Sequence, residues 1–237
     1  MGDPSFQGGS ASPQETSAYF SDGRVRLAEL RKLAPLPGTR TEIETLARTL
    51  GGGPDDLLLG PDASESKLFA RPASRGLNRY AILAFATHGL VTGNLSNTLA
   101  EPALALTPPA VTAQSDDGLL TASEASLLRL DADWVLLSAC NSAAGGSANA
   151  EGLTGLARAF LLAGARAVLV SHWRVRDDAA PRITARTIEL MHGNGLTRGK
   201  ALQQAMRELM MDRGLDATGS SFATPSAWAA FALVGVD

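Results

Sequence analysis

The sequence predicts an α/β fold, a mostly parallel central sheet covered by helices on both faces. Three observations point there. Uninterrupted apolar runs recur as "YAILAFATHG" from residue 80, "WVLLSAC" from 134 and "RAVLVSHW" from 166, too continuous for strands with one face in water. Segments of helical spacing separate these runs, as parallel connections require. The runs end in polar or reactive residues (His88, Cys140 and the His172–Trp173 pair), where an open sheet of this class meets its ligands.

The elements follow in order. Residues 1–33 read as a flexible N-terminal segment: 1–18 are rich in Gly, Ser and Pro, and "SDGRVRLAELRKL" has only weak helical spacing. The domain proper occupies 34–237. Thr39 and Glu42 have capping-box spacing, and Ile43, Leu46, Ala47 and Leu50 share a helical face that ends at the glycines 51–53. "DLLLG" predicts a short strand and "SESKLFA" a short helix. After the first long run, "PALALTP" reads as a short strand or edge segment. "TASEASLL" reads as a helix with Thr121 and Glu124 as its capping box. "LTGLARAFLLAGA" is the helix after the second run. Helices over roughly 177–191 and 197–212 precede the closing strand "FALVGV". Two stretches of small residues, "NSAAGGSANAEG" after Cys140 and "TPPAVTAQSDDG" at 107–118, read as mobile loops near the cleft.

Composition narrows the function. The chain has 237 residues, 45% hydrophobic and 19% charged, with a formal net charge of −3 and no long basic run. Nucleic acid and anionic membrane surfaces are therefore poor partners. No apolar stretch reaches the roughly 18 residues that span a bilayer, and "MGDPSFQGGSASPQ" has no signal-peptide pattern. One cysteine makes no internal disulfide, so the cytosol is the default compartment. GxxxxGK[ST], GxSxG and HExxH do not occur, and three histidines with one cysteine make no zinc site, so no metal or other cofactor is expected. "MHGNGLTRG", with His192, resembles a dinucleotide loop only loosely and follows a helix rather than a strand; it reads as a surface turn.

Cys140, the lone cysteine, stands where a strand gives way to a loop. A thiolate is a nucleophile, and an imidazole deprotonates the thiol or stabilises the anion. If the strands ending at His88 and Cys140 are neighbours and parallel, the two side chains meet. The amides of Gly89 and Cys140 are then candidates for an oxyanion hole. The competing reading is an inert buried cysteine and an unrelated loop histidine.

Strand-"THG", about fifty residues and then strand-"SACNS" resembles the caspase-like cysteine peptidases. Within them the chain most resembles the CHAT domains, bacterial relatives of separase that often follow tetratricopeptide repeats. "PLPGTRTEIETLA", "DDGLLTASEASLLRLDADWVLLSAC", "AEGLTGLARAFLLAGARAVLVSHWRVRDDAA" and "SAWAAFALVG" extend the similarity over roughly residues 34–237. The resemblance implies a caspase-like three-layer α/β/α sandwich, with Cys140 as nucleophile, His88 as general acid/base and the amides of Gly89 and Cys140 as oxyanion hole. It implies amide hydrolysis after a basic P1 residue. Asp177 aligns best with the S1 acid, Asp178 and Glu151 are rivals, and Trp173 is placed in the cleft wall. Each of these acids has a plainer role as a helix-capping carboxylate.

Family members carry a strand ahead of a "GDP"-like turn, so a first strand is expected to be missing from "MGDPSF" and the chain to start inside the fold, leaving a sheet edge unpaired. Partners implied are a protein substrate, with gasdermins and other effector proteins as candidates, and an N-terminal or separate sensor or tetratricopeptide region. Two other classes stay open. A catalytically silent CHAT scaffold shares every feature except thiol reactivity, and a different thiol hydrolase or acyltransferase would turn over esters without cutting peptides.

Overall fold

The computed structural model describes residues 1–8, 20–21, 24–71, 76–90, 101–111, 113, 116–141, 148–171, 178–215 and 219–236. Among them, eight strands form one sheet. Its main path runs β10 (Phe231–Gly235), β9 (Ala167–Ser171), β8 (Trp134–Asn141), β5 (Ile82–Leu90), β1 (Gly2–Pro4) and β4 (Leu59–Gly60). These pair in parallel except for β10, which runs antiparallel to β9. β6 (Ala103–Ala105) runs antiparallel to the end of β5 and to β7 (Leu119–Thr121). β2 (Phe20–Ser21) and β3 (Arg24–Val25) make a separate two-stranded ribbon.

Alternation along β8 shows how both sheet faces are covered. Val135 and Leu137 pack with Phe85 and with Leu156 and Phe160 of α5 (Ala148–Leu162), beside α4 (Ala122–Ser126). Trp134 and Leu136 point the other way, toward Ile43 and Leu46 of α2 (Pro37–Thr49), Ile183 and Ile188 of α6 (Ala180–Asn194), and Leu202 and Leu209 of α7 (Arg198–Met211). Burial on both faces removes the period-2 signal and leaves the continuous apolar run seen in the sequence. The result is the expected three-layer α/β/α sandwich around a mostly parallel sheet. The short helices α1 (Leu27–Leu30), α3 (Glu65–Phe69) and α8 (Pro225–Trp228) complete the set.

The N-terminal part departs from expectation. Gly2 pairs with Ala86 of β5 and with Leu59 of β4, and the Met1 α-amino group donates to the Ala84 carbonyl at 2.7 Å. A Cβ on Gly2 would sit 2.7 Å from Ile43 Cγ1, so only glycine lets β1 approach α2 this closely. Phe6, Val25, Leu30 and Leu33 are buried with Leu90, Ala103, Ala105 and Leu119. Residues 1–8 and 24–33 thus pack with the folded body rather than forming a flexible lead, and the GDP residues themselves make a short strand. A cavity of about 720 Å³ is lined by Met1, Ile43, Leu46, Leu57, Ile82 and Leu136.

Four local expectations also change. Thr39 and Glu42 do not form a capping box, because Pro37 in the first turn starts the helix earlier. The Thr39 hydroxyl instead donates to the Leu36 carbonyl at 2.7 Å and accepts the Asp3 N–H at 2.9 Å, tying β1 to α2. The same spacing at Thr121 and Glu124 does cap α4, each residue's N–H donating to the other's side chain at 2.9 and 3.3 Å. Glu151 lies within α5 rather than in a loop before it, and residues 148–152 of the expected mobile loop are helical. His192 belongs to the last turn of α6, which ends at Gly195 with φ +64°.

Candidate active site

β5 and β8 pair residue for residue from Ile82↔Trp134 to Gly89↔Asn141, and this register sets His88 opposite Cys140. Adjacent strands lie about 4.8 Å apart, and register partners in a parallel pair share a sheet face. The two residues therefore stand side by side near the C-terminal ends of their strands, on the face that carries Ala86 and Ser138 toward α2.

His88 is buried at 5% exposure. Its Nε2 lies 2.8 Å from the Ala34 carbonyl, just ahead of α2, and the Phe6 ring packs on it at 5.5 Å between centroids. A carbonyl only accepts, so Nε2 carries the proton in this contact. The Ala34 carbonyl thereby fixes the orientation of the imidazole ring at Nε2.

The amides expected to form the oxyanion hole are engaged differently. Trp134 N–H donates to the Ala81 carbonyl at 3.0 Å. The alternation of a parallel ladder then turns the N–H of Cys140 toward β5 and that of Gly89 toward β8. β5 continues to Leu90, and β6 pairs with Gly89 on its other side. Both amides therefore stand inside the ladder, and their use by an oxyanion requires its last pair to open.

Beneath the pair sits a carboxylate that the sequence assigned to helix capping. Glu42 is 3% exposed and accepts hydrogen bonds from Ser138 Oγ at 3.0 Å and Thr184 Oγ1 at 3.4 Å, joining α2, β8 and α6. Ser138 precedes Cys140 by two residues on the same strand face. Glu42→Ala is expected to cost about 2–3 kcal/mol, by removing the acceptor of the Ser138 hydroxyl and opening a void, while Thr184 keeps its bond to the Ala180 carbonyl. Urea titration should show a lower midpoint at unchanged slope.

The segment 107–118, expected to be loose, is anchored where it is described. Thr107 donates from its hydroxyl to Gly60 and from its N–H to Ala63, and the Arg31 guanidinium donates to the carbonyls of Pro109 at 2.5 Å and Ala110 at 3.0 Å. Its far end is held by Glu65, a 1% exposed carboxyl whose Oε2 accepts N–H bonds from Asp117 at 2.8 Å and Gly118 at 2.7 Å. Gly118 has φ +85°, and a Cβ there would stand 3.0 Å from Pro108 Cα. Burial, reinforced by Asp117 and Glu124, pushes the Glu65 carboxyl up to about 8. Burial likewise raises Asp117 to about 6, helped by Glu124 and Asp116. Nothing local in the sequence marks this pair.

Of the remaining candidates, Asp178 is exposed and lies just ahead of α6, whose N-cap position is Ala179. Asp177, Trp173 and His172 lie outside the described residues, as do residues 142–147. His192 is exposed at the far end of α6, away from the pair. Among the described residues no group of three or more His, Cys, Asp or Glu side chains is arranged to hold a metal, and no helix is long and apolar enough to cross a membrane.

Comparison with known proteins places these features in context. A family model described as CHAT domain matches residues 1–236, essentially the whole chain. Tetratricopeptide repeat protein 28 of Mus musculus is 38% identical over 119 residues, which is 50% of this chain and 4% of that protein. The Homo sapiens protein of the same name is 35% identical over 119 residues, with the same shares. The chain thus spans about 4% of the length of the curated relatives it matches.

Proposed function

Because the chain belongs to the CHAT domain family, whose fold places it in the caspase-like peptidase clan, we propose that it is a cysteine endopeptidase with a His88–Cys140 dyad. The observation that carries this reading is the register of β5 and β8, which sets His88 against Cys140. The Cys140 sulfur attacks the scissile carbonyl carbon while its proton passes to His88 Nδ1. That proton then goes to the leaving amine as the C–N bond breaks, leaving a thioester. Water, deprotonated by the same imidazole, hydrolyses the thioester and restores the thiol. The amides of Gly89 and Cys140 serve the oxyanion once the last pair of the ladder opens, so opening and activation are one event under this reading.

Specificity is for a basic P1 side chain, paired with the carboxylate of Asp177, with Asp178 and Glu151 as the other candidates and Trp173 in the cleft wall. A protein substrate of the effector class, such as a gasdermin, and a sensor or tetratricopeptide region supplied in cis or in trans complete the proposal. A second reading, a silent scaffold, draws support from relatives named for their repeats rather than for an activity.

The test treats the protein with peptidyl-Arg, peptidyl-Lys and peptidyl-Leu acyloxymethyl ketones and locates adducts by mass spectrometry. Adducts on Cys140 with the basic probes are expected, and Asp177→Ala should lower the Arg-over-Leu preference by about 10-fold, the equivalent of ~1.4 kcal/mol. Labelling indifferent to P1 would remove the S1 assignment. No labelling, with cleavage absent in the presence of any tetratricopeptide partner, would favour the scaffold.

A further inference from the structure

We propose that Glu65 is a proton-operated latch on the β6–β7 hairpin: its neutral carboxyl seats the second arm of the hairpin, and ionisation releases that arm. The two arms have different anchors. The first leaves β6 through Thr107, whose N–H and hydroxyl donate to the Ala63 and Gly60 carbonyls, and Arg31 donates to the carbonyls of Pro109 and Ala110. None of these acceptors titrates. The second arm returns through Asp117 and Gly118 to β7, an edge strand that pairs with β6 alone. Its anchor is Glu65 Oε2, which accepts both N–H groups at 2.8 and 2.7 Å, and the Gly118 carbonyl in turn accepts the Leu106 N–H at 2.8 Å. The hairpin grips β5 on both sides of His88, since the Thr87 hydroxyl donates to the Ala105 carbonyl and Gly89 pairs with Leu104. The latch therefore bears on the strand end that carries His88, whatever part Cys140 plays.

Charge decides which state wins. Asp117 on the second arm and Glu124 on α4 both oppose ionisation of Glu65, and Asp116 acts on Asp117 in the same sense. Lys67, which shares α3 with Glu65, pairs with Asp62 at 3.6 Å, and Arg31 is engaged by the loop carbonyls. The two N–H bonds favour the anion, but burial outweighs them, and the carboxyl keeps its proton up to about 8. An anion at this position regains water only if the second arm lifts. Closure is thus fully favoured below about pH 4.5 and loses about 10-fold per pH unit as pH rises to about 8.

The test is native-state hydrogen exchange by NMR at pH 6, 7 and 8, with and without low urea, on the intact chain. The amides of Leu106, Asp117 and Gly118 are compared with those of Leu136 and Leu169 in the central strands. In wild type the hairpin protection factors should fall by about 100-fold from pH 6 to 8, lie below those of the central strands and ignore urea. In Glu65→Gln they should change by no more than about 2-fold over the same range. A flat wild-type profile, or an equal fall in Glu65→Gln, would overturn the proposal. So would hairpin amides that share the protection and urea dependence of Leu136 and Leu169, because the arm would then open only with the whole domain. If Glu65→Gln does not fold by circular dichroism, Asp117→Asn is judged instead. Its fall should end at a lower pH than in wild type, and an unchanged end point would count against the latch. No readout involves Cys140, so failure of the peptidase reading and failure of the latch are separate results.

Discussion

Replacing His88 by alanine is expected to slow acylation of Cys140 by a peptidyl-Arg acyloxymethyl ketone by about 100-fold or more, the usual scale of a positioned general base. The ring is held by the Ala34 carbonyl and by Phe6, so the substitution also removes a buried hydrogen bond and an aromatic contact, and about 1–3 kcal/mol of stability should go with them. His88→Gln separates these effects. Its amide nitrogen reaches about as far as the imidazole Nε2 and can still donate to the Ala34 carbonyl, yet it cannot take a proton in this pH range. It should fold closer to wild type and react as slowly as the alanine variant. Near wild-type reactivity in His88→Gln, measured by intact-mass kinetics, would mean that His88 orients the site without exchanging protons.

The second large effect concerns Glu65. Its carboxyl is raised from 4.5 to about 8, so the folded protein holds a proton that the unfolded chain has already lost. The stability from this group is fully present below about pH 4.5 and disappears as pH rises through about 8, with a total on the order of 4 kcal/mol. Asp117, raised to about 6, pulls in the same direction over its own lower window. The charged groups acting on Glu65, Asp117 from the segment before β7 and Glu124 from α4, are acidic and add to the penalty on ionisation. Glu65→Gln keeps an oxygen to accept the N–H bonds of Asp117 and Gly118 and offers a donor to the Asp117 carboxylate, with no charge to lose. Its melting temperature should match that of wild type near pH 5 and exceed it at pH 9 by roughly 10 °C. An equal difference at both pH values would show that Glu65 is not protonated in the fold.

The sheet was legible where burial on both faces leaves no alternation to misread. The runs from residues 80, 134 and 166 became β5, β8 and β9 for that reason. β1 was not legible, since Gly2, Asp3 and Pro4 all have low strand propensity; what holds them is pairing with residues far along the chain. Two identical spacings, Thr39 with Glu42 and Thr121 with Glu124, had opposite outcomes because Pro37 set one helix start and nothing displaced the other. The Ala34 carbonyl has no trace in the sequence, since a backbone acceptor is independent of residue type. Glu65 and Asp117 meet only through tertiary packing, so no local window reveals them.

If His88 and Cys140 act as one unit, the rate of Cys140 alkylation by iodoacetamide from pH 4 to 9 reads it out. Wild type should stay reactive well below the ordinary thiol range of about 8.5, with that low-pH reactivity lost in His88→Ala. A single titration near the ordinary thiol value in both proteins would contradict it, leaving Cys140 an isolated thiol and the register of β5 and β8 a feature of the fold alone.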